Sequence, residues 1–215
     1  NNCTSDINAW AGMLRGFSEA AGAQVSMSDT FSAIFRSAME GEPDCGGVVN
    51  VNYLSGEPVT GFAEGRPMML RMPDAALSFP NFCRSLVFGA MITLKLGMDI
   101  LAGEQVRIDS LLGHGGFFKT PGTAQKLMAG ALNTPVSVME TAGEGGPWGM
   151  ALLAAYRAQR MEDQSLEQFL ADRVFAGTAA STINPDPADT RGFLAYEQRF
   201  IQALEAQRAA VGSMK

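Results

Sequence analysis

Apolar residues recur at helical spacing from the start of the chain. Ile7, Trp10, Leu14 and Phe17 share one face of a helix predicted over 7–21, with Ser5 or Asp6 as its cap. Phe31, Ile34, Phe35 and Met39 repeat the pattern in a second helix, capped by Ser28 or Asp29 and ended by Gly41-Glu42-Pro43-Asp44. The period then shortens. Val48, Val49, Val51 and Tyr53 predict a strand over 46–54, a turn follows at 55–58 and a loop at 60–67, and 68–72 reads as another strand. The longest helix, 80–102, is apolar on most faces and is therefore expected to lie buried between layers.

Beyond it, strand and helix alternate: strand 106–112, helix 123–132, short strand 135–139, helix 145–159 and an acidic-faced helix 165–175. An irregular stretch, 178–189, carries Pro185 and Pro187. A final amphipathic helix over 192–211 presents Phe193, Tyr196, Phe200, Ile201 and Leu204. Such alternation predicts α/β layering. Neither an internal repeat nor a low-complexity linker divides the 215 residues, so residues 1–215 are taken as one unit.

Composition narrows the class. With 47% hydrophobic and 18% charged residues the chain can build a core, and the composition argues against disorder. A net charge of −6 without any Arg- or Lys-rich stripe argues against nucleic acid as partner. Lys95 and Asp99 interrupt the longest apolar run, which argues against a membrane span. The first six residues lack the basic start and apolar centre of a signal peptide. Three widely spaced cysteines, Cys3, Cys45 and Cys83, and a single histidine, His114, fit reduced thiols in the cytoplasm rather than a metal cluster. The absence of an initial Met, at what reads as a helix start, suggests a piece of a longer protein.

The chemistry concentrates at two glycine turns. Strand 106–112 runs into Gly113-His114-Gly115-Gly116-Phe117-Phe118-Lys119-Thr120-Pro121, and a helix begins shortly after. Glycines let the main chain approach an anion and turn its N–H groups toward it. The second cluster, Gly143-Glu144-Gly145-Gly146-Pro147-Trp148-Gly149, also opens a helix, whose dipole favours negative charge. Two such turns close in sequence suggest the two walls of a nucleotide cleft. The G-x-G-x-x-G spacing of a dinucleotide binder, with an acid about 20 residues on, is absent.

Four segments in order resemble the FGGY family of carbohydrate kinases. Tyr53-Leu54-Ser55-Gly56-Glu57 resembles its "YLxGER" segment, and 84–101 stands where the family has a long helix. Gly115-Gly116-Phe117-Phe118-Lys119-Thr120-Pro121, leading to Leu127-Met128-Ala129 and Pro135-Val136, resembles its glycine turn, helix and "Pro-Val" strand. Glu144-Gly145-Gly146-Pro147-Trp148-Gly149-Met150-Ala151 resembles its "EGxAxGAA" turn. Within the family the likeness is greatest to xylulokinases. Three positions depart from the pattern: Pro58 replaces an arginine, Gly130 an acid after Leu-Ala, and Phe88 an acid in the long helix.

The resemblance implies an actin-like ATPase domain of the ribonuclease H type, α/β, with helices flanking a mixed sheet and its opening strands missing. It implies ATP and Mg²⁺ as cofactors, with Gly115, Gly116, Phe117, Lys119, Gly145 and Gly146 at the nucleotide. It implies a sugar substrate held by a missing N-terminal domain, which also carries the catalytic aspartate; no position here matches that residue. D-xylulose is the expected sugar, with L-ribulose, glycerol or another polyol as alternatives, and a non-catalytic nucleotide- or sugar-sensing module as the alternative of another class. A homodimer stays open.

Several residues admit a plainer role. Lys119 also reads as a solvated loop lysine, and His114 as structural. Trp148 reads as a core anchor ahead of an adenine contact, whereas Phe117 and Phe118 fit either place. Asp6 reads as a cap and Glu57 as a turn residue, ahead of any catalytic part.

Overall fold

The structure, a computed structural model, describes residues 3–139, 145–176 and 180–214. Its elements in chain order are α1 (Ser5–Ala20), α2 (Met27–Glu40), β1 (Val48–Val51), β2 (Met68–Arg71), α3 (Phe79–Gly103), β3 (Leu111–Gly113), α4 (Thr123–Leu132), β4 (Val136–Met139), α5 (Gly145–Gln159), α6 (Leu166–Phe169, continued by a wider turn over Leu170–Val174), β5 (Ala180–Ile183) and α7 (Pro187–Ser213).

β1 and β2 pair antiparallel, Val48 opposite Arg71. The second sheet is mixed: β3 runs parallel to β4, and β4 antiparallel to β5. Gln125 of α4 ties it together, donating to the carbonyls of Val136 and Ser181. Helices on a mixed sheet are the α/β architecture the alternation predicts.

The core lies between α1, α2, β1, the first half of α3, and α7. Ile7, Ile34, Tyr53, Leu86, Phe88, Met91, Phe193, Tyr196 and Phe200 are all fully buried there. Each such side chain contributes about 1.5–3 kcal/mol by leaving water. Buried Arg84 is the polar centre of this body. It donates to the Gly41 carbonyl at 3.1 Å, pairs with Asp189 of α7, and stands 5.0 Å over the Phe88 ring. A Cβ on Gly130 would lie 2.6 Å from Asp189 Cβ, so glycine there lets α7 approach α4. Two of the three departures, Phe88 and Gly130, thus sit beside the same ion pair.

Helix starts differ from the sequence reading where side chains compete to cap. Thr4, not Ser5 or Asp6, stands at the cap of α1 and makes no side-chain cap bond. Ser26, not Ser28 or Asp29, caps α2 by accepting from the Asp29 N–H. β3 covers only Leu111–Gly113, because β4 offers it three paired positions. The stretch 178–189 is not wholly irregular. It contains β5, and α7 begins at Pro187, where the fixed proline φ suits a first helical position and Asp186 caps.

α3 is buried only as far as Ile92; Leu94, Ile100 and Leu101 are exposed, since α2, β1 and α4 pack on its first half. By length and composition alone α3 is the one helix among the described residues that could cross a membrane.

Candidate functional site

The first glycine turn is shaped by what folds back onto it. A Cβ on Gly113 would lie 2.5 Å from the Phe118 ring, so that aromatic packs under the end of β3 only because residue 113 is glycine. Gly115 has φ +99°, a left-handed backbone that favours glycine. One tight turn, Gly116–Phe118, follows, and Phe117 meets Phe35 of α2 edge to face at 5.4 Å.

This turn floors a cleft of about 540 Å³. Cys3 and Thr4, just ahead of α1, and Asn8 of α1 form one wall. Ser28, Phe31, Ser32 and Phe35 of α2 form another. His114, Gly115, Gly116, Phe117, Lys119 and Thr120 complete it. The helical contributors come in pairs four apart, Thr4 with Asn8, Ser28 with Ser32 and Phe31 with Phe35, the spacing that stacks side chains on one helix face. The cleft therefore has an aromatic part and a hydroxyl- and amide-bearing part. None of these α1 and α2 residues stood out as ligand-facing in the sequence. Their signal was the serine–aromatic pairing at 28/31 and 32/35, which resembles a solvated helix margin.

The second turn touches the first. A Cβ on Gly145 would lie 3.0 Å from the His114 Cβ and 3.5 Å from the Gly115 nitrogen. Gly143 and Glu144 lie outside the described residues. α5 starts at Gly145, so its first N–H groups belong to the turn beside Gly115. At Gly116 and Gly146, by contrast, an added Cβ would meet nothing within 4 Å, and the protein's own packing does not explain those glycines.

Of the six residues expected at the nucleotide, Gly115, Gly116, Phe117 and Lys119 line the cleft. Gly145 abuts it through His114, and Gly146 follows on α5. Trp148 does not line it; half-buried, its ring tilts against Phe175 at 6.0 Å, as a packing anchor would.

Acids and thiols take other places. Asp6 is 4% exposed and accepts from Asn50 Nδ2 at 2.9 Å; burial pushes its carboxyl above the usual carboxylate range. Glu57 accepts from the Val59 N–H, which is the turn role, and also lines a neighbouring apolar cavity of about 460 Å³. Burial pushes the Cys83 thiol up to about 12 and the Cys45 thiol well above its ordinary value, so both are inert as nucleophiles. All three cysteines are free. Among the described residues no three His, Cys, Asp or Glu side chains converge to hold a metal ion.

A mixed sheet with flanking helices and two abutting glycine turns over a cleft define a domain of the actin-like ATPase class. The chain belongs to the FGGY family of carbohydrate kinases: the pattern of that family's C-terminal domain matches residues 1–158. No curated protein sequence matches it. Similar folds occur in the ligand-bound xylulose kinase of Lactobacillus acidophilus (TM-score 0.69, 17% identity, covering 95% of this chain and 39% of that one). They occur also in the gluconate kinase of the same organism (0.66, 18%, 88% and 36%) and in Plasmodium falciparum glycerol kinase with ADP (0.60, 17%, 82% and 33%). The chain thus spans between a third and two-fifths of the length of these kinases.

Proposed function

We propose that this chain is the ATP-binding domain of a kinase that transfers the γ-phosphoryl group of ATP to a hydroxyl of a pentulose, D-xylulose in the first instance. One observation carries the reading. The two glycine turns stand against each other at a cleft, and Gly116 and Gly146 leave space that no protein atom takes.

Phosphoryl transfer asks a protein chiefly for positioning and for neutralisation of charge. Main-chain N–H groups around Gly115, Gly116, Gly145 and Gly146 are the donors assigned to the phosphates, with the positive end of α5 behind them. Lys119 adds positive charge at the rim. Phe31, Phe35 and Phe117 offer apolar faces for the base, and Thr4, Asn8, Ser28 and Ser32 offer its polar edge hydrogen bonds. With no carboxylate cluster among the described residues, no step is assigned to a magnesium site of this chain. The sugar and the general base on its hydroxyl are assigned to an N-terminal domain outside these 215 residues. Closure of the two domains would exclude water from the transferring phosphoryl group. Three free thiols suit the cytoplasm.

Heat protection tests the nucleotide part. ATP at a hundredfold excess over its dissociation constant should stabilise the chain by about 2.7 kcal/mol, and NAD should not. Protection by NAD alone would replace this reading with a dinucleotide binder. The isolated chain should release no ADP when given ATP and xylulose; measurable release would overturn the division of labour. A panel of D-xylulose, L-ribulose, gluconate and glycerol on the full-length kinase decides the sugar, and faster turnover of any other member displaces D-xylulose.

A further inference from the structure

The α1 wall of the cleft is held in place by a buried polar chain that reaches it from behind and meets the cleft only at Cys3. Asn50, in the middle of β1, is 1% exposed. Its side-chain Nδ2 donates to Asp6 in the first turn of α1. Its main chain is clamped from the other side: the Tyr196 hydroxyl of α7 accepts from the Asn50 N–H at 3.3 Å and lies 3.2 Å from the Asn50 carbonyl. α3 closes the node from above, where a Cβ on Gly89 would lie 2.9 Å from Asn50 Nδ2. Two residues on, Asn52 Nδ2 donates to the Cys3 carbonyl at 3.3 Å, just ahead of α1. Asn50 within β1 and Asn52 just past its end therefore both grip the start of α1.

The start of α1 is also where the cleft wall lies. Asp6 points into the body while Thr4 and Asn8, on either side of it in sequence, line the cleft. A buried carboxylate must keep its hydrogen-bond donors, so α1 has one favourable seat and not a range of them.

We propose that Asp6 is a positioning residue of the nucleotide cleft: through Asn50 it fixes the first turn of α1 and, with it, Thr4 and Asn8. The inference rests on the nucleotide reading of that cleft. Asp6 touches no ligand; it acts through the placement of its neighbours.

The test is ADP titration of the 215-residue chain carrying Asp6→Asn, Asn50→Asp or both, with hydrogen–deuterium exchange as a second readout. Asp6→Asn sets two amide groups face to face. It should weaken ADP about tenfold, the worth of one hydrogen bond to a charged group. Exchange should quicken in the first turn of α1 and not in α3 or α7. The double variant rebuilds the amide–carboxylate bond in reverse and should return to within about threefold of the unmodified chain. Unchanged ADP affinity and unchanged exchange in Asp6→Asn overturn the proposal, as does a double variant as weak as the single ones. If Asp6→Asn does not fold, Asn50→Ala cuts the same bond from the β1 side, and wild-type ADP affinity in that variant overturns the proposal. Failure of the unmodified chain to bind ADP removes the nucleotide reading itself, whereas failure of Asp6→Asn alone to alter binding removes only the role of Asp6.

Discussion

The body around Arg84 and the arm formed by α5 and α6 are built differently. In the body, α1, α2, α3, β1 and α7 bury large side chains completely, and even the charges are enclosed. In the arm, α5 is rich in Ala and Leu, yet none of its residues is buried; Met150 is 70% exposed. The first glycine turn stands on the body and the second opens the arm. One is fixed by packing. The other depends on a few contacts, Gly145 on His114 and Trp148 on Phe175. Each turn holds a glycine that the protein's own atoms require, Gly113 or Gly145, and one that they do not, Gly116 or Gly146. The required glycines report on folding, and the others are the ones that the proposed function assigns to a ligand.

Substitutions should separate the two kinds. The largest loss of stability is expected for Asp189→Ala, which leaves Arg84 buried without its carboxylate: about 3 kcal/mol by chemical denaturation. A loss well under 1 kcal/mol would mean that the Gly41 carbonyl and that of Ala38, 3.5 Å from the guanidinium, suffice for Arg84. Gly113→Val comes next, at about 2 kcal/mol, because the new side chain must displace the Phe118 ring. Trp148→Ala should cost about 1 kcal/mol in the more lightly packed arm, and calorimetric titration should show weaker ATP binding as the second turn loses its anchor. Gly116→Val should change stability by less than about 0.5 kcal/mol yet abolish protection by ATP. An unfolding midpoint for Gly116→Val as low as that of Gly113→Val would erase the distinction.

The smallest effect is a matter of pH. The N–H groups of Ala188 and Asp189 hold the Asp186 carboxyl below 3.8, its unfolded value. A depressed carboxylate stabilises the fold above the unfolded value and loses that contribution as pH falls through the folded one. Stability curves of the unmodified chain and Asp186→Ala should differ slightly at neutral pH and converge in acid. Parallel curves would show that the cap contributes no charge-dependent stability.

How much of this was readable in the chain depends on how local each cause is. α4 and α5 begin and end where the sequence places them, at Thr123–Leu132 and Gly145–Gln159. The limits of α4 are marked by Gly122 and Asn133, both left-handed. The glycine turns were legible for the same reason. β5 was not: Ala180 to Thr182 are exposed, without alternation, and only pairing with β4 makes them a strand. The α1–α2 wall of the cleft was also hidden, because Asn8, Ser28 and Ser32 look like any polar helix margin until Phe117 is packed against Phe35. The Arg84–Asp189 and Asn50–Tyr196 contacts join residues more than a hundred positions apart, and no local pattern announces them.

The most direct test is an ATP titration followed at single backbone amides by NMR. The account predicts that the Gly115, Gly116, Gly145 and Gly146 amides shift together and saturate at one ligand concentration, with Phe117 and Asn8 moving alongside. Saturation with all four glycine amides unmoved would contradict it.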